Sequence, residues 1–138
     1  MSKITKPRPG TMRLIDALQY RLPVAGVVSI LHRASGAMMF FLLPFVLYLF
    51  DNSLASESSY ARLSRVFAEG SGVFSGWMLK LMVCGLIWAY LHHFIAGLRH
   101  LWMDATHSVS KEFGRQSAHF TLVASVLLTL VLGYRIFV

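Results

Sequence analysis

An imidazole, a glycine one helical turn later and an Arg-His pair beyond it lie in the run His93-Phe94-Ile95-Ala96-Gly97-Leu98-Arg99-His100-Leu101-Trp102-Met103-Asp104. The run closes a stretch that otherwise reads as a helix soluble in lipid. An ionisable side chain has no cheap place inside a bilayer. One found there faces a partner, a cofactor or a cavity, and marks function by default. On a helix, His93 and His100 share a face and are separated by about 10 Å of rise. Gly97 lies on that face one turn after His93, and its missing side chain lets a bulky planar ligand approach the backbone. Arg99 and His100 sit nearer the membrane surface. The arrangement suits a flat macrocycle held by a metal–nitrogen bond, with anionic arms near the headgroups.

A second group, Ser29, His32 and Arg33, interrupts an earlier apolar run. A neutral imidazole is a good axial ligand for haem iron, and the propionates of haem need cations or hydrogen-bond donors when partly buried. His93 is the candidate ligand; His32, Arg33, Arg99 and His100 are candidates for the propionate side. The bland reading of His93 is an intramembrane histidine satisfied by a neighbouring helix. Ser29 precedes Arg33 by one turn, so a hydroxyl and a guanidinium can hold the oxygens of a quinone. Alternatively, Ser29 bonds its own helix carbonyl and Arg33 snorkels to the headgroups. His92 is turned about 100° from His93, cannot serve the same iron, and reads as structural.

The elements that must position these groups follow from composition. Of 138 residues, 56% are hydrophobic and only 14% charged, against about 25% charged in a soluble domain. That leaves a membrane-embedded chain with no room for a separate soluble catalytic domain. Three segments, 24–50, 77–102 and 118–138, each approach the roughly 20 residues needed to cross about 30 Å of hydrocarbon. The connection 51–76 is polar and Ser-rich, but Leu54, Tyr60, Leu63, Val66 and Phe67 recur at near-helical spacing before Gly70. It predicts a short helix along the membrane surface. The fold expected is therefore an all-α membrane protein, with three transmembrane helices and a short interfacial helix between the first and second. Residues 1–23 form a basic N-terminal segment and 24–138 the three-helix anchor domain.

The net charge of +7 is concentrated early, at Lys3, Lys6, Arg8, Arg13 and Arg21. That pattern sets orientation by the positive-inside rule and does not indicate nucleic acid. No apolar core of a cleavable signal precedes Pro23. The N-terminus is expected in the cytoplasm, which brings Ser29, His32 and Arg33 to the same side as Arg99, His100 and Asp104. Trp77, Trp102 and Tyr134 read as interfacial anchors. Cys84 alone makes neither an internal disulfide nor an iron–sulfur cluster, and reads as packing. A transport or channel component would need polar residues on the outer half of the helices, but the first segment is apolar from Gly36 up to Asp51. A purely structural anchor stays open. A six-coordinate haem b needs two axial ligands, and this chain offers one histidine at suitable depth. The second then comes from another chain, which predicts an obligate heteromeric assembly.

Ser29-Ile30-Leu31-His32-Arg33-Ala34-Ser35-Gly36 resembles the S-x-x-H-R-x-[S/T]-G signature of the cytochrome b subunit of succinate dehydrogenase, and His93-x-x-x-Gly97-x-Arg99-His100-x-x-x-Asp104 resembles that family's second signature. Arg8-Pro9 and Tyr20-Arg21-Leu22-Pro23 are similar too, although the stretch from Arg8-Pro9 to Ser29 is longer than in the family and Gly10 replaces a usual apolar residue. The resemblance implies a membrane anchor that pairs with a second small anchor subunit and docks a flavoprotein and an iron–sulfur subunit. Electrons from succinate would pass through those subunits to ubiquinone. It implies His93 as the axial ligand of a haem b shared with the partner anchor, Ser29 and Arg33 at the quinone, and His32 and His100 on the propionate side. The implied location is the bacterial inner membrane rather than the mitochondrial one. The alternatives are the anchor of a quinol:fumarate reductase, which runs the reverse reaction, and a haem-free structural anchor, since some relatives keep the fold without haem.

Overall fold

The computed structural model describes residues 21–72, 74–108 and 110–137. The basic residues expected to set orientation before Arg21 lie outside that range. Four helices follow in order: α1 Val24–Ala55, α2 Glu57–Glu69, α3 Gly76–Thr106 and α4 Lys111–Phe137. Helices α1, α3 and α4 are each long and apolar enough to cross a membrane. The short α2 joins the first two, as the spacing of its apolar residues predicts.

The spanning helices are longer than their apolar runs. At 32 residues, α1 extends for about 48 Å, well beyond the hydrocarbon thickness. Its polar end remains helical because side chains return bonds to the backbone. Asn52 donates to the Tyr48 carbonyl at 2.8 Å and Ser53 to that of Phe50 at 2.7 Å. Pro44 lies inside α1, where a proline removes one backbone donor. Spanning helices tolerate this when neighbouring groups satisfy the freed carbonyl.

The turns between helices have local causes. Ser56 and Ser59 form a reciprocal capping box that starts α2 immediately after α1. Gly70, at φ 100°, ends α2, and its N–H donates to the Val66 carbonyl. Ser75 caps α3 by accepting from the Met78 N–H, and Ser110 accepts from that of Phe113 at the start of α4. Gly76 packs against the end of α2: a β-carbon there would lie 2.5 Å from the Phe67 carbonyl oxygen. The interfacial helix is therefore seated directly on the start of α3.

The bundle interior is made of small and polar residues. Val28 and Ser35 of α1, Ala89, His92 and Ala96 of α3, and Ala118, Thr121 and Ser125 of α4 are all buried. Helices in lipid gain nothing from burying leucine against leucine, so they associate where small residues allow close approach and polar groups can bond across the seam. The large apolar side chains point outward instead, with Phe40 72% and Phe41 77% exposed. Cys84 packs toward Gly133, where a β-carbon would stand 3.1 Å from its sulfur. Trp77, Trp102 and Tyr134 are exposed.

Candidate functional site

Helices α1 and α3 run antiparallel: Gly36 lies against His93, and His32 against Gly97 and His100. The first half of α1 thus meets the second half of α3. The contact is made by imidazoles. The rings of His32 and His93 stack with centroids 4.2 Å apart and planes inclined by 16°. His100 tilts against the other side of the group, 5.3 Å from His32. Residues 28, 32 and 35 share one face of α1 at helical spacing, and this face carries the buried Val28 and Ser35.

The tautomer of His93 is decided by its partner. Its Nδ1 lies 2.9 Å from the backbone carbonyl of His32. A carbonyl only accepts, so Nδ1 carries the proton and donates. Nε2 keeps its lone pair. Orientation of a ligating histidine by a bond from its other ring nitrogen is the usual outer support of a metal–imidazole bond. Ser35 shares this acceptor: its hydroxyl donates to the same carbonyl at 2.9 Å, and its oxygen lies 3.4 Å from His93 Nδ1.

One of the two glycines at this seam makes room for the packing. A β-carbon on Gly36 would meet His93 Cε1 at 2.8 Å and Nδ1 at 3.2 Å, so the ring lies on the bare backbone of α1. At Gly97, expected to admit a planar ligand, a β-carbon would stand at an ordinary 3.5 Å from His32 Nε2. The glycine on which His93 rests is therefore Gly36, on the opposite helix.

Arg99 engages α4. Its Nε donates to the Ser117 hydroxyl at 2.9 Å and one terminal nitrogen to the Gly114 carbonyl at 3.1 Å. A guanidinium that has to remain charged thereby finds acceptors at the start of a neighbouring helix. The bond couples α3 to α4 beside the imidazole group. Ser29 is half-buried and Arg33 exposed, one turn apart along α1 and flanking the face that bears His32. His92 is fully buried on the α4 side of α3, stacked with Trp88 at 5.2 Å and 3.4 Å from the Ser125 hydroxyl.

Of the residues singled out by sequence, His32, His93, Gly97 and His100 therefore come together. Ser29 and Arg33 adjoin them, and Arg99 faces another partner. Ser35, Gly36 and Ser125 carry contacts that no role was assigned to in advance. Ser35 and Gly36 lie within the first signature, three and four residues after His32, and that spacing was the available signal. Among the described residues, no group of three or more His, Cys, Asp or Glu side chains is arranged to hold a metal ion. A bare metal centre is thus poorly supplied with ligands. A macrocycle that brings its own nitrogens needs only one imidazole from this chain, and the lone pair of His93 Nε2 fits that need.

A bundle of three spanning helices, with stacked histidines in one seam and a serine–arginine pair beside it, defines a multi-pass membrane subunit built around an intramembrane imidazole group. The succinate dehydrogenase/fumarate reductase transmembrane subunit family matches residues 7–132. The succinate dehydrogenase cytochrome b556 subunit of Coxiella burnetii is 33% identical over 119 residues, covering 86% of this chain and 90% of that protein. The b556 subunit of Paracoccus denitrificans is 28% identical, covering 81% of each. The b560 subunit of Reclinomonas americana is also 28% identical, covering 81% of this chain and 76% of its own. The chain belongs to the succinate dehydrogenase/fumarate reductase transmembrane subunit family.

Proposed function

We propose that this chain is the cytochrome b membrane-anchor subunit of succinate dehydrogenase. In this reading it holds haem b through His93, together with a second anchor subunit, and helps form the site where ubiquinone is reduced. The observation that carries it is the bond from His93 Nδ1 to the His32 carbonyl, which leaves Nε2 as a ligand atom inside a membrane helix. The names of the relatives support the succinate-oxidising direction. The flavoprotein and iron–sulfur subunits dock on the end bearing Ser29, His32, Arg33 and His100. That end faces the cytoplasm of a bacterial inner membrane, with the N-terminus on the same side.

Haem b, when bound, supplies a one-electron store beside the quinone. His93 ligates and Ser35 and the His32 carbonyl hold its ring in place. His32 and His100 offer donors for carboxylates. Arg33 and Ser29 bind the quinone oxygens: a fixed cation and a hydroxyl favour the negative charge that develops there as electrons arrive. Arg33 is exposed in this chain alone, so the partner subunits complete the pocket. Arg99 ties α3 to α4 and so steadies the helix that carries His93 and His100.

The test is an absorption spectrum of the purified intact assembly. A b-type band in the reduced-minus-oxidised difference is expected, and a difference spectrum without that band, with only the flavin and iron–sulfur contributions, would end the haem reading. Gly36→Leu probes the same point from the other helix. Its side chain would occupy the space of the His93 ring, so haem retained per flavin is expected to fall about tenfold, the scale seen when support of a metal ligand is lost. Full haem content in that variant would show that His93 does not rest on α1 in the assembly.

A further inference from the structure

His92 is the largest fully buried side chain among the described residues, and the function above makes no use of it. Its Nε2 is buried and makes no hydrogen bond of ordinary length, although the Val28 backbone of α1 lies beside the ring. Such an atom in a membrane interior is costly, and an apolar ring of similar size would avoid the cost. Its Nδ1 lies 3.4 Å from Ser125 Oγ. Ser125 already donates its own proton to the Leu122 carbonyl at 3.0 Å, so Nδ1 is the donor to Ser125. One directional bond to α4 is thus obtained at the expense of one nitrogen without an ordinary hydrogen bond.

We propose that His92 is a positioning residue: its bond to Ser125 fixes the rotation of α3 about its own axis and so holds His93 against the His32 carbonyl. The inference rests on the reading of His93 as the haem ligand.

The physical need arises from the character of α3. Its exposed residues Leu81, Met82, Tyr90, Phe94, Leu98 and Leu101 are apolar, and lipid does not distinguish one apolar face from another. Rotation in such a helix is set by small-residue packing and polar bonds. The small residues are Ala89 and Ala96, which flank His92 on the buried face, and Ala96 packs with Val28 and Ala118. Between these alanines His92 is the one bulky group, inserted against Ser125. Consecutive residues on a helix point about 100° apart. His92 bonded to α4 therefore directs His93 to α1, and a turn of α3 that freed one would dislodge the other.

The test uses the intact complex carrying His92→Phe, His92→Asn or Ser125→Ala. The readouts are the low-field EPR signal of the haem, its midpoint potential, and the haem retained per flavin after dilution. His92→Phe keeps the ring volume and removes the donor. Ser125→Ala removes the acceptor without touching α3. Both are expected to shift the EPR signal and the potential in the same direction and to lower retained haem by up to about tenfold. His92→Asn, whose amide donates from the place of Nδ1, is expected to return both signals toward wild type. If His92→Phe prevents assembly, Ser125→Ala decides. Wild-type signals in Ser125→Ala would overturn the positioning role. A wild-type haem spectrum in His93→Leu would instead remove the ligand assignment beneath it, so the two failures are distinguishable.

Discussion

Complexes carrying His93→Leu are expected to retain less than roughly a tenth of the wild-type haem b, because the metal–nitrogen bond from this chain is lost and not merely loosened. Leucine is close in volume and apolar, so α3 still packs in lipid and the complex still assembles. The measurement is the reduced-minus-oxidised spectrum normalised to flavin. Succinate oxidation with an artificial acceptor is expected to survive, since that chemistry lies on the docked subunits. The ring is also lost from the stack with His32 and from the His32 carbonyl. That carbonyl keeps its bond from Ser35, so the change leaves no bare buried acceptor behind. An unchanged spectrum would show that His93 is a histidine satisfied by its neighbouring helix, the bland alternative its sequence context allowed.

His32→Phe distinguishes side chain from backbone in the same site. The bond to His93 comes from the carbonyl of residue 32, which this substitution retains, and a phenyl ring still stacks. Loss of the imidazole should therefore leave the ligand in place and alter only what the His32 ring itself binds.

The spanning segments were legible because an apolar run is the requirement of lipid itself. Their ends were not. Hydropathy reports where the chain meets lipid, whereas a helix continues while backbone bonds are satisfied. Asn52 and Ser53 carry α1 past its apolar run by bonding the previous turn, and α4 begins at Lys111, seven residues before the expected start. The stop at Gly70 was legible, since a positive φ there favours the residue without a side chain.

Rotation was the part least visible. His32, His93 and His100 were recognisable as one group because His93 and His100 share a face of α3 and the reversed direction of the two spans brings His32 to the same end. Arg99 lies at that end too, yet its partners Ser117 and Gly114 lie on α4, and no spacing within α3 reveals that choice. The same holds for glycine. Gly97 shares a helix face with His93 and drew attention for that reason. Gly36 touches His93 from across the seam, a relation that depends on the mutual register of two helices.

Arg33→Leu is expected to reduce quinone reductase turnover by roughly two to three orders of magnitude, the usual loss when a fixed donor to a developing oxyanion is removed. Leucine suits a membrane helix, and Arg33 is exposed in this chain, so the fold gives no reason for collapse. Electron transfer to an artificial acceptor should remain at wild-type rate, and the haem band should persist, since His93 keeps its bond to the His32 carbonyl. Arg33→Lys should recover only part of the turnover. An ammonium restores the charge but lacks the planar fork that holds an oxygen through two N–H groups. Ser29→Ala removes a neutral hydrogen bond and is expected to cost about tenfold, seen first as a raised KM for quinone. That order, Leu worse than Lys and both worse than Ser29→Ala, separates direct contact from a headgroup role. An arginine that only snorkels to lipid phosphate would tolerate lysine fully and would leave quinone turnover unchanged even as leucine.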